Sequence, residues 1–156
     1  MIFDFLFVIL MIIASLYDIK KRIIPNKLCL VMLIIVILKL TYTFLININN
    51  SNFIYSSYIL TTLAGFLLAF ISFGVPFYIN KSIGGADFKI GCCIGLFLGI
   101  NHTLSLLFIS FFSSGLFAII ININKSITKK PKIKTLPFVP FLLLGSFYIM
   151  SIKYFL

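Results

Sequence analysis

The stretch that decides the fold runs from residue 88 to residue 121 and reads FKIGCCIGLFLGINHTLSLLFISFFSSGLFAIII. As one straight α-helix it would form a rod of about 50 Å at about 1.5 Å per residue, much longer than the roughly 30 Å hydrocarbon layer of a membrane. Two apolar helices joined by a tight turn fit a membrane better. The polar pair Asn101-His102 lies near the middle of the stretch and is the predicted turn.

The composition extends this interpretation to the whole chain. Of its 156 residues, 62% are hydrophobic and 10% are charged, and a water-soluble domain of this length could not bury so many apolar side chains in one core. The sequence therefore predicts an all-α, polytopic membrane protein with about six transmembrane helices, forming a single integral membrane domain over residues 1–156. The predicted spans are residues 2–17, 28–46, 58–79, 87–100, 103–122 and 136–155.

The basic residues predict how the chain is oriented. Thirteen lysines and arginines give a net charge of +10. They cluster after the first span, before the fourth and between the fifth and sixth, whereas the loops near 47–57 and 101–103 carry none. Because basic loops remain on the cytoplasmic side, we expect a multi-pass plasma-membrane protein with both termini outside. The basic loops can rest on anionic lipid headgroups, so no nucleic-acid partner is predicted.

Only three acidic residues accompany these basic ones: Asp4, Asp18 and Asp87. Asp18 is predicted at the inner end of the first helix and Asp87 at the inner start of the fourth. Asp4 lies about 21 Å from Asp18 along the helix, so it is expected at the outer surface as an interfacial end-of-helix carboxylate. A lone aspartate at the inner boundary could pair with a neighbouring lysine. Two aspartates at the same depth in the membrane favour a joint role.

Paired carboxylates have a definite chemistry. Within a few ångströms of each other they hold one shared proton, because both cannot easily be charged. The charged member can take a proton from a water molecule, while the protonated member supports the substrate carbonyl and later the leaving amine. This is the chemistry of aspartic peptidases. It requires water and two carboxyl groups, so neither a metal nor a cofactor is predicted.

The residues beside the second aspartate fit such a site. They read GGADFK, residues 84–89. Gly84 and Gly85 remove side chains where a substrate backbone would approach, and they permit unusual backbone angles. Alternatively, they form a flexible loop before the helix. Lys89 either tunes the local potential at Asp87 or extends its ammonium group toward the lipid headgroups.

Three blocks of sequence carry a resemblance to a known family. They read DIKKRIIPNKL at residues 18–28, GGADFK at residues 84–89 and LPFVPFLLLG at residues 136–145. In this order and spacing they resemble the type IV prepilin peptidases, which include the archaeal preflagellin peptidases and are membrane aspartyl enzymes of the GxGD kind. Ala86 stands where the GxGD pattern has its second glycine. The presenilin-like proteases also share a Tyr-Asp pair, but this chain lacks their Pro-Ala-Leu signature.

The resemblance implies specific roles. Asp18 and Asp87 are the expected catalytic residues, and the expected supporting or substrate-binding residues are Gly84, Gly85, Lys89, Pro25 and Asn26. The implied activity is endoproteolytic removal of the leader from type IV prepilin-like or preflagellin-like precursors at the cytoplasmic face. Such precursors carry a short basic leader ending in glycine, followed by an apolar helix in the bilayer. Because the enzyme's own basic loops repel that leader, the precursor is expected to dock through its helix.

The cysteines indicate a minimal form of this family. Large bacterial members carry a cytoplasmic insertion with paired Cys-x-x-Cys motifs, whereas Cys29, Cys92 and Cys93 all fall within predicted spans, where packing is their expected role. We therefore expect leader cleavage without methylation of the new N-terminus. The single histidine, His102, lies at the predicted outer turn, and no catalytic or metal role is expected for it.

Two hypotheses of other classes remain open. A small ion channel or transporter could use paired membrane aspartates to bind or relay cations, which predicts ion flux without proteolysis. A non-catalytic assembly factor of a secretion system would tolerate asparagine at both acidic positions. Besides the precursor, membrane lipids are the expected partners of the chain.

Overall fold

The computed structural model describes residues 2–48, 54–80, 84–127 and 137–155. Within these ranges the chain forms helices and no strand: α1 Ile2–Lys21, α2 Asn26–Ile46, α3 Tyr55–Asn80, α4 Gly85–Ile127 and α5 Val139–Phe155. The first four are long and apolar enough to cross a membrane, and α5 contains a shorter apolar helix, Val139–Ile152. The predicted all-α polytopic membrane fold is confirmed. Lys81 and the lysines of the loop at 128–136 lie outside the described residues.

The long helix α4 is a hairpin that reverses at Gly99. Gly91 and Phe111 both contact the ring of Phe73 in α3, although a straight helix would separate residues 91 and 111 by about 30 Å. Gly99 has φ 72° and ψ 174°, a conformation that glycine adopts without the steric cost of a side chain. The predicted hairpin is therefore present, but its turn lies at Gly99 rather than at Asn101-His102. We call residues 85–98 segment α4a and residues 100–127 segment α4b.

The reversal leaves the last carbonyls of α4a without intrahelical partners, and side chains donate hydrogen bonds to the backbone on both sides of the corner. Segment α4a rises only about 21 Å, short of a membrane crossing, and irregular backbone at membrane depth must be satisfied by the protein itself. The Lys39 ammonium of α2 donates to the Phe97 carbonyl at 3.0 Å. The Thr103 hydroxyl of α4b donates to the Gly99 carbonyl at 2.6 Å. These two side chains stabilise the corner.

The charge that Lys39 brings into the apolar layer is balanced by Asp4 of α1. The Lys39 Nζ lies 3.2 Å from the Asp4 carboxylate and 3.4 Å from the centroid of the Phe97 ring. Asp4 is only 5% exposed. Asp4 lies in the first turn of α1, as expected for an end-of-helix carboxylate, but its pairing with Lys39 was not predicted; an ammonium group away from water needs such a partner.

Close contacts between pairs of helices hold the bundle together. A Cβ on Gly65 of α3 would lie 2.5 Å from the Gly95 carbonyl oxygen, so small residues let α3 and α4a approach closely. Segment α4b contacts α5, where the Ser110 hydroxyl donates to the Phe141 carbonyl at 3.0 Å. Helix α1 packs against α2 and α5.

As a result, the end of α1 lies at the same end of the bundle as the beginnings of α2, α4 and α5. We call this the aspartate end, because Asp18 and Asp87 both lie there. Asp4 and Gly99 lie toward the opposite end. The predicted separation of Asp4 from the other two acids is therefore present in the fold.

Candidate functional site

Asp18 is held by the first residue of another helix. It lies in the last turn of α1, is 7% exposed and accepts a hydrogen bond at its Oδ2 from the Val139 amide at 3.1 Å. Val139 begins α5, and the amides of a first helical turn have no partner within their own helix. The positive end of the helix dipole also favours a carboxylate there. The start of α5 therefore orients Asp18.

Asp87 lies in the first turn of α4, where the helix dipole again favours a negative charge. Its side chain is partly buried, and the Gly84 amide interacts with its carboxyl group. Each of the two aspartates is thus placed against the N-terminus of a helix. Asp87 belongs to α4, the helix whose N-terminus it lies at. Asp18 belongs to α1 and is hydrogen-bonded by the N-terminus of a different helix, α5.

The structure brings Asp18 and Asp87 together at the aspartate end. They lie close enough for a charge on Asp18 to act on Asp87. Carboxyl groups coupled in this way bind protons as a pair, and a water molecule between them could meet a base and an acid together. Asp4 takes no part in this pair, because it is bound to Lys39 elsewhere in the bundle.

The two glycines before Asp87 differ in what they contribute. A Cβ on Gly84 would lie 3.2 Å from the Asp87 Oδ2, so the missing side chain leaves room for the carboxyl group. A Cβ on Gly85 would make only an ordinary 3.5 Å contact with the Phe77 ring. Within the described ranges Gly99 is the one glycine recorded with positive φ. The role of Gly84 and Gly85 in substrate approach stays a prediction.

The remaining predicted supporting residues join α2 to α4. The Lys89 ammonium donates to the Asn26 Oδ1 at 2.9 Å. Pro25 is the N-cap residue of α2, with φ −61° and ψ 132° and no side-chain capping bond. Neither of the two roles predicted for Lys89 includes its hydrogen bond to Asn26. This bond links the sequence block at residues 18–28 to the block at residues 84–89. Gly84, Gly85, Lys89, Pro25 and Asn26 all lie at the aspartate end.

Sequence reasoning missed one partner of the aspartates. It is the Val139 amide, a backbone group that no side-chain pattern reveals; its signal was the proline-rich segment 137–140, which marks the start of a helix. Cys29, for which packing was the expected role, is buried. His102, in contrast, is exposed at the α4 corner.

Comparison with known families gives one match. The family model described as "Type IV leader peptidase family" matches residues 5–119. The matched region includes both Asp18 and Asp87 and ends within α4b. No match was found among curated proteins, and none among solved structures.

Proposed function

Because this chain belongs to the type IV leader peptidase family, which makes it a membrane protease, we propose that it is an aspartic endopeptidase acting on prepilin-like or preflagellin-like precursors. Asp18 and Asp87 are its proposed catalytic residues. One observation supports this proposal: Asp18, hydrogen-bonded by the start of α5, and Asp87, in the first turn of α4, lie at the same end of the bundle. The third acid, Asp4, is already bound to Lys39.

The proposed reaction uses a water molecule between the two carboxyl groups. The charged carboxylate takes a proton from the water, whose oxygen attacks the carbonyl carbon of the scissile bond. The protonated carboxyl group donates its proton to the carbonyl oxygen, which gives a neutral diol. The carboxyl group that took the proton from water then passes it to the amide nitrogen, and the other carboxylate takes a proton from a diol hydroxyl as the C–N bond breaks. The products are a leader with a new carboxyl end and a mature protein with a new amine, and the pair again holds one proton. The Val139 amide supports Asp18 whenever that residue carries the negative charge.

Co-expression with a model precursor tests this function. The precursor carries a basic leader ending in glycine, followed by an apolar helix of about 20 residues. We expect a shortened precursor on a gel and a new N-terminus directly after the glycine. Both proteins must also be detected in the membrane fraction. A precursor that stays full-length beside a correctly inserted enzyme would contradict the proposal, and ion flux without cleavage would favour the channel hypothesis.

We further propose that the aspartate end faces the cytoplasm, in a plasma-membrane protein with both termini outside. The support is the basic character of this end, where Lys20, Lys21, Arg22 and Lys27 are exposed, since basic loops favour the cytoplasmic side.

Cysteine labelling in intact cells measures this orientation. In a background with alanine at the three native cysteines, single reporters near Arg22 and Lys130 should be shielded from a membrane-impermeant thiol reagent. Reporters near Asn50 and at the C-terminus should react. The reverse pattern would place the aspartates on the outer face and would rule out the proposed orientation.

Substituting Gly84 tests whether space beside Asp87 matters for catalysis. We expect Gly84→Ala to lower the cleavage rate about tenfold, because its new Cβ would displace the Asp87 carboxyl group by a few tenths of an ångström and catalysis depends steeply on geometry. Gly115→Ala is the matched control, since nothing lies within 4 Å of a Cβ at that position. Equal cleavage rates for the two variants at equal protein levels would show that the close approach at Gly84 has no catalytic consequence.

A further inference from the structure

An apolar groove runs between α2 and α3, with segment α4a as its floor. Both helices pack against α4, and within the described ranges they do not pack against each other along their lengths. Two cavities of about 580 and about 470 Å³ follow one another in this space and share Leu96 of α4a in their lining. They lie end to end along α2 and α3, and we refer to them together as the groove.

The groove has the length of a membrane-spanning helix. Its α2 wall extends from Asn26 in the first cavity to Leu45 in the second, a rise of about 29 Å, close to the thickness of the hydrocarbon layer. Leu33 and Leu63, one on each wall, are 42% and 50% exposed, so the groove opens sideways to the lipid. At the far end the rings of Phe44 and Tyr55 lie 5.1 Å apart and close it.

The other end of the groove lies at the aspartate end of the bundle. Lys89 and Asn26, hydrogen-bonded to each other, line the first cavity there. Phe88, the residue after Asp87, forms part of its wall and meets Phe70 of α3 edge-on with the ring centroids 5.3 Å apart. Whatever lies in the groove therefore ends at the turn of α4a that carries Asp87.

We propose that this groove binds the transmembrane helix of the leader-bearing precursor, so that the scissile bond just before that helix lies at Asp18 and Asp87. This inference rests on the proposed peptidase function and adds the surface that positions the substrate. The lining is apolar except for a few polar groups, and its one charged residue, Lys89, lies at the aspartate end. An uncharged helix fits such a surface, and the basic leader remains outside the groove.

Packing rather than hydrophobicity must provide the affinity, because lipid tails are as apolar as the precursor helix. The concave wall supplies that packing through Phe66 and Phe70 of α3 and Phe88 of α4a, three aromatic rings on one side. A precursor helix of about 20 residues spans both cavities, whereas a single lipid tail reaches across only one leaflet, about half of the roughly 30 Å hydrocarbon layer. The proposal therefore predicts precursor contacts at both the Leu33 and the Leu63 level.

Site-specific photocrosslinking in the inactive Asp87→Asn full-length chain tests the groove without requiring cleavage. A photoreactive diazirine amino acid replaces Leu33 or Leu63 within the groove, or Leu38 as the matched control. Leu38 is also a leucine of α2 and is 50% exposed, but it lines neither cavity and lies about 140° around the helix from Leu33 at about 100° per residue. The probe is the model precursor with its basic leader and apolar helix.

We expect about tenfold more crosslinked precursor from Leu33 and Leu63 than from Leu38, since crosslinking requires side-chain contact. Equal yields at the three positions, crosslinks to lipid alone or crosslinks to a second copy of the enzyme would each overturn the proposal. The peptidase function is judged separately by the wild-type chain. Cleavage without preferential crosslinking would refute only the groove, and preferential crosslinking without cleavage would refute only the peptidase.

Discussion

Asp18→Asn and Asp87→Asn are each expected to lower the rate of leader cleavage by about a thousandfold or more, because each removes one half of an acid–base pair that acts as a unit. Asparagine keeps the size of the side chain and can still contact the Val139 or Gly84 amide through its carbonyl oxygen. Membrane insertion should therefore be unchanged. The measurement is the initial rate of precursor shortening at matched enzyme levels in the membrane fraction.

Asp4→Asn is the control for the two catalytic variants. It makes the same substitution at the end of α1 remote from Asp18. Because it also removes the buried partner of Lys39 and should lower stability, the cleavage rate is compared per folded molecule, and that rate should stay close to the wild-type value. Full processing by either Asp18→Asn or Asp87→Asn would refute the assignment of the pair. Equal loss of activity in all three variants would indicate a general effect on folding.

The largest effect on stability is expected for Lys39→Met, about 3–5 kcal/mol, since the substitution removes the ammonium group that lies 3.2 Å from the buried Asp4 carboxylate. It also removes the donor to the Phe97 carbonyl at the α4 corner. The double variant Asp4→Asn/Lys39→Met should recover part of this loss, because no charge then remains buried. Unfolding of the purified protein in mixed detergent micelles provides the measurement.

Lys27→Met is the matched control for this substitution, because Lys27 is exposed at the start of α2 and a charge in water gains little from any single partner. We expect its stability to stay within about 0.5 kcal/mol of the wild type. If Lys39→Met and Lys27→Met unfold alike, the buried ion pair does not stabilise the corner.

Much of this fold could be predicted because the membrane restricts it to few options. Long apolar runs must become helices, and the run from 88 to 121 is too long for one crossing, so a hairpin was predictable. The meeting of Asp18 with Asp87 was also predictable, since basic loops place both at one face and the three sequence blocks resemble one family.

The details that were missed depend on backbone conformation or on contacts between distant segments. The hairpin turn was predicted at the polar pair Asn101-His102, but it needs a residue that tolerates positive φ, and Gly99 provides it. The ion pair of Asp4 with Lys39 was not predicted, although a lysine inside an apolar span indicates that an acid lies near it. The hydrogen bond from Val139 to Asp18 and the groove between α2 and α3 arise only from the packed helices.

The most direct test of the central claim uses purified enzyme in proteoliposomes with the model precursor and an excess of metal chelator, read by intact mass spectrometry. We expect two products from the wild-type chain, the free leader and the mature protein, whose masses sum to that of the precursor plus one water. We expect only unprocessed precursor from Asp18→Asn and Asp87→Asn. Cleavage by either variant, or loss of wild-type cleavage in the chelator, would contradict an enzyme that works through this pair of aspartates.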